Sequence, residues 1–328
     1  MRRSSWQRPL GQLNQHQCFP FFWLDVGDAD QVGARSHVDG EVLLVISGSV
    51  YPAAGRLATL TNPGSRLAWS RAIPHHVAIC GSCDDGTVTT SKTLILWDVD
   101  HTLIENGGVS KETYALAFEL LVGTPPAARP QTDGRTDRSI MAELFAANGV
   151  AMTEAHRDAL FPTLIEAMKR NADALRLRGH ALAGADAALT AVSRDGSFVQ
   201  SVLTGNIPEN AFTKLATFGL HKHLDFEVGG FGSDSIVRAD LVAASQAKAG
   251  SKYATLFDRG NTILVGDTTR DVEAGVKGGA RVLAVATGVD AVEVLRTAGA
   301  DLVLKDLADT ESVLRCLREI ASAGAQGS

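Results

Sequence analysis

The residues best suited to chemistry stand at the ends of short apolar runs. LILWDVDHTL sets four mostly apolar residues directly before Asp98, Asp100 and Thr102, so a buried strand ends by presenting two carboxylates one residue apart. At the carboxyl edge of a parallel sheet, that is where ligands bind. Two acids so close repel unless a cation sits between them or one keeps its proton, which points to a divalent cation or to a split pair of acid and nucleophile. Alone, an Asp-x-Asp also serves turns and helix caps. Further strand ends add to it. VLTGN places Thr204, Gly205 and Asn206 where a hydroxyl and backbone N–H groups can hold a phosphate oxygen. ILVGDTTRD places Asp267 at a strand end and Asp271 four residues on, one helical turn away. Between them, Lys214 and Arg238 are the available cations.

The elements that must position these groups follow from the pattern. From Ser91 onward, the runs TLILWD, FVQSVLT, NTILVGD and ARVLAVA alternate with long Ala- and Leu-rich stretches of helical spacing, which predicts an α/β fold with a parallel sheet. Residues 1–90 differ: they hold three of the four Trp and three of the four Cys without sustained periodicity. Two readings of that segment stand. It is a poorly ordered or non-native extension, with a true start downstream such as Val88, or a small β-rich domain in which EVLLVISGSV and RLATLT are strands. The first is the expectation. Cys80 and Cys83 form a C-x-x-C that runs into a turn-rich segment rather than opening a helix, so no redox role is expected, and Cys316 reads as core.

A length of 328 residues suits about two domains. With 45% hydrophobic and 21% charged residues and a net charge of −6, the chain reads as an ordinary globular protein with no nucleic-acid partner. No apolar run approaches the ~20 residues that span a bilayer. The basic start has no apolar stretch behind it, so no membrane association is expected and the expected location is cytoplasmic.

With its motifs in this order, the chain resembles the haloacid dehalogenase-like (HAD) hydrolase superfamily, whose pattern is hhhhDxDxT, hhhT/S, a Lys or Arg, and hhGDxxxD. The match runs over roughly residues 92–320, and DVEAGVKGGARVLAVATG and TAGADLVLKDLAD look like the phosphoglycolate phosphatase-like branch. The resemblance implies a Rossmann-like parallel sheet with helices on both faces at 91–108 and 179–322, an inserted helical cap at 109–178 and a flexible tail at 323–328. It also implies a phosphatase for a small phosphorylated metabolite. Asp98 would be the nucleophile and Asp100 the acid and base. Mg2+ would be held by Asp98, the backbone carbonyl of Asp100 and Asp267, with Asp271 outside them. Thr204, Gly205, Asn206 and a cation would bind phosphate, and Arg238 is preferred to Lys214 although the branch's Lys-Pro is absent. In the cap, TDGRTDRSI looks like the substrate loop, with Arg135 facing an anionic group; a solvated helix start is the equal alternative. His101 stands where the family has Gly, and its side chain is expected to point away from the metal for want of an identifiable partner. A phosphomutase shares these motifs. A metal-free dehalogenase would lack Asp100, and a non-catalytic binding module would not need so many clustered acids.

Overall fold

The computed structural model describes residues 92–132 and 134–325, together with the backbone of 32–38, 41–46 and 49–51. The chain divides into two compact units, Met1–Val88 and Thr89–Ser328. In the first, β1 (Val32–Val38), β2 (Glu41–Ile46) and β3 (Ser49–Tyr51) form an antiparallel sheet in that order. EVLLVISGSV is thus largely strand. RLATLT, Cys18, Cys80 and Cys83 lie outside the described residues.

The second unit begins with β4 (Thr93–Trp97), every residue of which is buried. The short β5 (Ile104–Glu105) follows, then three helices, α1 (Val109–Val122), α2 (Asp137–Ala147) and α3 (Glu154–Arg178). The chain returns through β6 (His180–Ala181), which pairs antiparallel with β5, so the helical insert leaves and re-enters through one narrow ribbon. Next come α4 (Ala185–Ser193), β7 (Phe198–Thr204), α5 (Pro208–Thr217), β8 (Gly230–Phe231) and α6 (Arg238–Tyr253). The last part is β9 (Thr262–Gly266), α7 (Thr269–Gly278), β10 (Arg281–Val285), α8 (Val292–Ala298), β11 (Leu302–Leu304) and α9 (Thr310–Ala325).

Six strands pair in the order β11-β10-β9-β4-β7-β8, all parallel. From β4 the chain first builds outward through β7 and β8, then crosses to β9 on the other side. A crevice opens beyond the carboxyl ends of the strands where such an order reverses. Here β4 lies between β7 and β9, so Asp98, Thr204 and Asp267 emerge side by side.

Both faces of β4 are covered because its side chains alternate into two cores. Ile95 and Trp97 join Leu189 of α4 and Leu317 of α9 on one side. Leu94 and Leu96 join Leu241 of α6 and Ala274 of α7 on the other. The buried Trp97 indole donates to the Gln200 amide oxygen at 3.2 Å, so the core holds no unpaired N–H there. Cys316 is buried against the first of these cores. The insert has a core of its own, in which Phe118 meets Phe145 edge to face at 5.1 Å beside Ile140, Met141, Leu160 and Leu164. Ile207 of the strand-helix turn after β7 belongs to that cluster, so the insert rests on the same loop that carries Thr204 to Asn206.

Candidate active site

The four acids sort into two groups, each with its own cation. Asp98 and Asp271 both face Arg238, the first residue of α6, whose Nη2 donates to Asp98 Oδ1 at 2.6 Å and to Asp271 Oδ1 at 2.5 Å. Asp271 spends its other oxygen on the helix start, accepting from the Thr268 N–H at 3.0 Å and from its hydroxyl at 2.6 Å. That capping box orders α7 and commits both oxygens of Asp271. Asp267 accepts from Thr102 Oγ1 at 3.0 Å through Oδ1, while its Oδ2 is buried with no hydrogen-bond partner.

Asp100 stands apart. Its Oδ2 accepts from Lys214 Nζ at 2.6 Å and from the Asn206 amide at 3.1 Å, and its Oδ1 accepts from Asn106 at 2.8 Å. Lys214 comes from α5, is 1% exposed, and also donates to Asn206 Oδ1 at 2.8 Å. The sequence reading set Arg238 and Lys214 as rivals for one place. The structure brings both into the site, one on each acid.

The electrostatics follow from this division. Burial would raise the Asp100 carboxyl, but the charge and hydrogen bond of Lys214, with the Asn206 and Asn106 amides, outweigh it and hold it down to about 2. Burial pushes the Asp98 carboxyl well above the carboxylate range; Arg238 opposes the rise, while Asp271 and Asp100 add to it. Asp267 is raised by burial and by Asp271 and Asp98 together. With one guanidinium among three buried acids, ionisation of all three would leave negative charge uncompensated, and carboxylate oxygens of Asp98, Asp267 and Asp271 all lie within 4.8 Å of one another. Buried charge of this kind calls for a cation, and the hard oxygen donors suit Mg2+. The carboxylate of Asp100 is taken by Lys214 and the amides, so any part of Asp100 in metal binding falls to its backbone carbonyl.

Thr204 is 1% exposed, and its hydroxyl oxygen accepts from the Asn206 side chain at 2.7 Å, which leaves the hydroxyl proton to donate into the cleft that Thr204 lines. Gly205 lies against the insert: a Cβ there would stand 1.8 Å from the Arg135 carbonyl oxygen. Only glycine admits that approach. Arg135 lines the cleft and pairs with Glu143, and the helix start that follows it is capped by Thr136.

Several participants were not foreseen. Asp137 is fully buried, accepts from Tyr114 Oη at 2.6 Å and from the Ile207 N–H at 2.8 Å, and donates its own N–H to Gly205 O at 2.8 Å. Burial, opposed by those two donors, raises its carboxyl to about 6. It ties α1 and α2 to the turn after β7; its place in TDGRTD was the only available signal. His101 lines the cleft, and its Nδ1 lies 2.9 Å from Glu105 Oε2, the partner that sequence reading did not identify.

Gly288, after β10, is another. A Cβ on it would fall 1.7 Å from Asp267 Oδ2. Gly288→Ala is therefore expected to displace that carboxylate and weaken divalent-cation affinity on the order of 10²-fold, as loss of support around a metal ligand does. Titration of the purified variant with Mg2+ measures it, and an affinity equal to that of the parent would mean that Asp267 is no ligand.

Residues 238–310 match the HAD-hydrolase-like family model. Comparison with curated proteins found no match. Among solved structures, a hydrolase from Pseudomonas syringae aligns with a TM-score of 0.52 at 20% identity, over 70% of this chain and 100% of its own. A predicted phosphatase from Clostridium acetobutylicum gives 0.51 at 16% identity, over 69% of this chain and 99% of its own. A predicted phosphoglycolate phosphatase from Haemophilus somnus gives 0.50 at 15% identity, over 69% and 99%.

Proposed function

We propose that this chain, a HAD-like hydrolase by its fold and by the family model that residues 238–310 match, is a Mg2+-dependent phosphatase acting on a small phosphorylated metabolite through an aspartyl-phosphate. The observation that carries this reading is the pair of carboxylates one residue apart, Asp98 and Asp100, each held by its own cation. A nucleophile and a proton-transfer group need different environments, and these two acids have them.

Asp98, fixed by Arg238 at the end of β4, would attack phosphorus and displace the alcohol. Asp98, Asp267 and the Asp100 carbonyl would hold Mg2+, which when bound supplies positive charge to the phosphoryl oxygens and to the crowded acids. The orphan Asp267 Oδ2 fits that assignment. Thr204 and the backbone N–H groups at Gly205 and Asn206 would orient the phosphate. Asp100 is ionised beside Lys214, as a base for water must be. A phosphate dianion arriving there shares the ammonium and adds a negative neighbour. Both effects raise the Asp100 carboxyl toward the protonated form that the departing oxygen requires.

The test is a panel of phosphorylated metabolites with Mg2+ and with chelator, combined with melting curves. Turnover is expected only with Mg2+, and full activity in excess chelator would overturn the reading. The melting curves carry a sign. Asp267 and Asp98 keep their protons in the metal-free fold to a higher pH than in the unfolded chain, so that fold loses stability as pH rises above about 4. A cation binding the ionised carboxylates offsets the loss, so Mg2+ should raise the melting temperature more near pH ~8 than near pH ~6.

A further inference from the structure

His101 has a backbone φ of 64°, the left-handed region that an L side chain enters at a cost of about 1 kcal/mol. The surroundings hold it there: its N–H donates to Ile104 O at 2.7 Å and its carbonyl accepts from Thr287 Oγ1 at 2.5 Å. The ring is held as well. Nδ1 meets Glu105 Oε2 at 2.9 Å, and the other Glu105 oxygen is anchored by the Gly107 N–H at 2.9 Å. A carboxylate at Nδ1 places a proton on that nitrogen in both the neutral and the charged imidazole. The remaining nitrogen, Nε2, has no protein hydrogen-bond partner among the described residues, and the side chain, 30% exposed, lines the cleft that holds Asp98 and Asp100.

We propose that His101, oriented by Glu105, contacts a hydroxyl group on the leaving-group side of the substrate, so that the preferred esters are small polyol or sugar phosphates. The inference rests on the phosphatase reading and adds to it the class of alcohol released. A hydroxyl both donates and accepts, so it satisfies Nε2 whether the ring is neutral, and accepts, or protonated, and donates. The cleft wall agrees. Every described residue lining it is glycine or carries a polar side chain, including Asn106, Ser110, Thr132 and Thr268. Besides the His101 imidazole, the one ring among the described lining residues is Tyr114, 6% exposed with its hydroxyl bound to Asp137, so none of them offers a flat apolar platform to a base or an aryl group.

The experiment compares sn-glycerol 3-phosphate and ribose 5-phosphate with n-propyl phosphate, which lacks hydroxyls, in the Mg2+-loaded full chain. The parent is expected to favour the hydroxylated esters in kcat/KM. His101→Gly is expected to lower that preference about tenfold, mainly through KM, as loss of one hydrogen bond to substrate would. Glu105→Ala should shift it the same way by less. Glycine takes φ 64° without strain, so His101→Gly should melt at or above the parent, which separates lost recognition from lost folding. A parent with no preference for the hydroxylated esters, or one unchanged in both variants, would overturn the inference and leave the phosphatase reading standing. An equal fall for all three esters would also overturn it, since that is the mark of a general structural role. No turnover of any phosphomonoester by the parent would remove the phosphatase reading, and the inference with it.

Discussion

Asp98→Asn is expected to lower turnover by at least ~10⁴-fold, because an amide cannot form the acyl phosphate on which the proposed reaction depends. The substitution is nearly isosteric, and its amide oxygen can still accept from Arg238 in place of Asp98 Oδ1. It also removes one of three clustered buried acids, so the metal-free variant should melt no lower than the parent. Loss of activity with stability retained is the signature of a lost reacting atom rather than a lost fold. Steady-state rates on the best ester from the substrate panel, with a melting curve beside them, make the measurement. Turnover clearly above background in the variant would remove Asp98 from its role as nucleophile.

The two buried cations should separate just as sharply. Arg238→Met leaves Asp98 and Asp271, which are 10% and 0% exposed in their side chains, without their guanidinium. Breaking a buried pair from one side typically costs about 3–5 kcal/mol, and that loss is expected in chelator. Mg2+ should restore much of it, since the ion brings positive charge to the same carboxylates. Lys214→Met acts on the other acid. Without its ammonium the Asp100 carboxyl rises from its depressed value of about 2, so the acid limb of the pH–rate profile should move to higher pH. Mg2+ should not rescue this variant's stability, because the Asp100 carboxylate is not among the three that gather for a cation. Melting curves in chelator and in Mg2+, with rates across pH, distinguish the two. Equal responses in both variants would mean that the acids do not divide as the hydrogen bonds indicate.

The strands that carry these groups were legible in the sequence for a local reason. TLILW, FVQSVLT, TILVG and RVLAV are buried, or nearly so, along their length, so the chain spells them as mostly apolar runs between helical stretches, with Gln200 and Ser201 interrupting the run inside FVQSVLT. Asp98, Thr204 and Asp267 could be placed at strand ends because the polar residue terminates the run. The two- and three-residue strands β8 and β11 are too short to leave a periodic signal, and they were missed.

Which acid meets which base was a tertiary decision. Arg238 reaches Asp98 across 140 positions and Lys214 reaches Asp100 across 114, so neither pairing leaves a spacing to read. The chain order β4, β7, β9 was visible, but the sheet had to set β4 between the other two before the three ends could share one crevice. Asp137 stands in TDGRTDRSI, which reads equally as a substrate loop or a solvated helix start; only the seat of the insert on Ile207 and Gly205 buries it. The His101–Glu105 pair spans four residues without a helix, because a left-handed turn rather than helical periodicity brings the side chains together. The sequence by itself determined the kinds of groups and the strand ends that bear them, since both depend on residue type and local burial. Their pairing, their charge state and the shape of the cleft required the fold, because each depends on contacts between segments far apart in the chain.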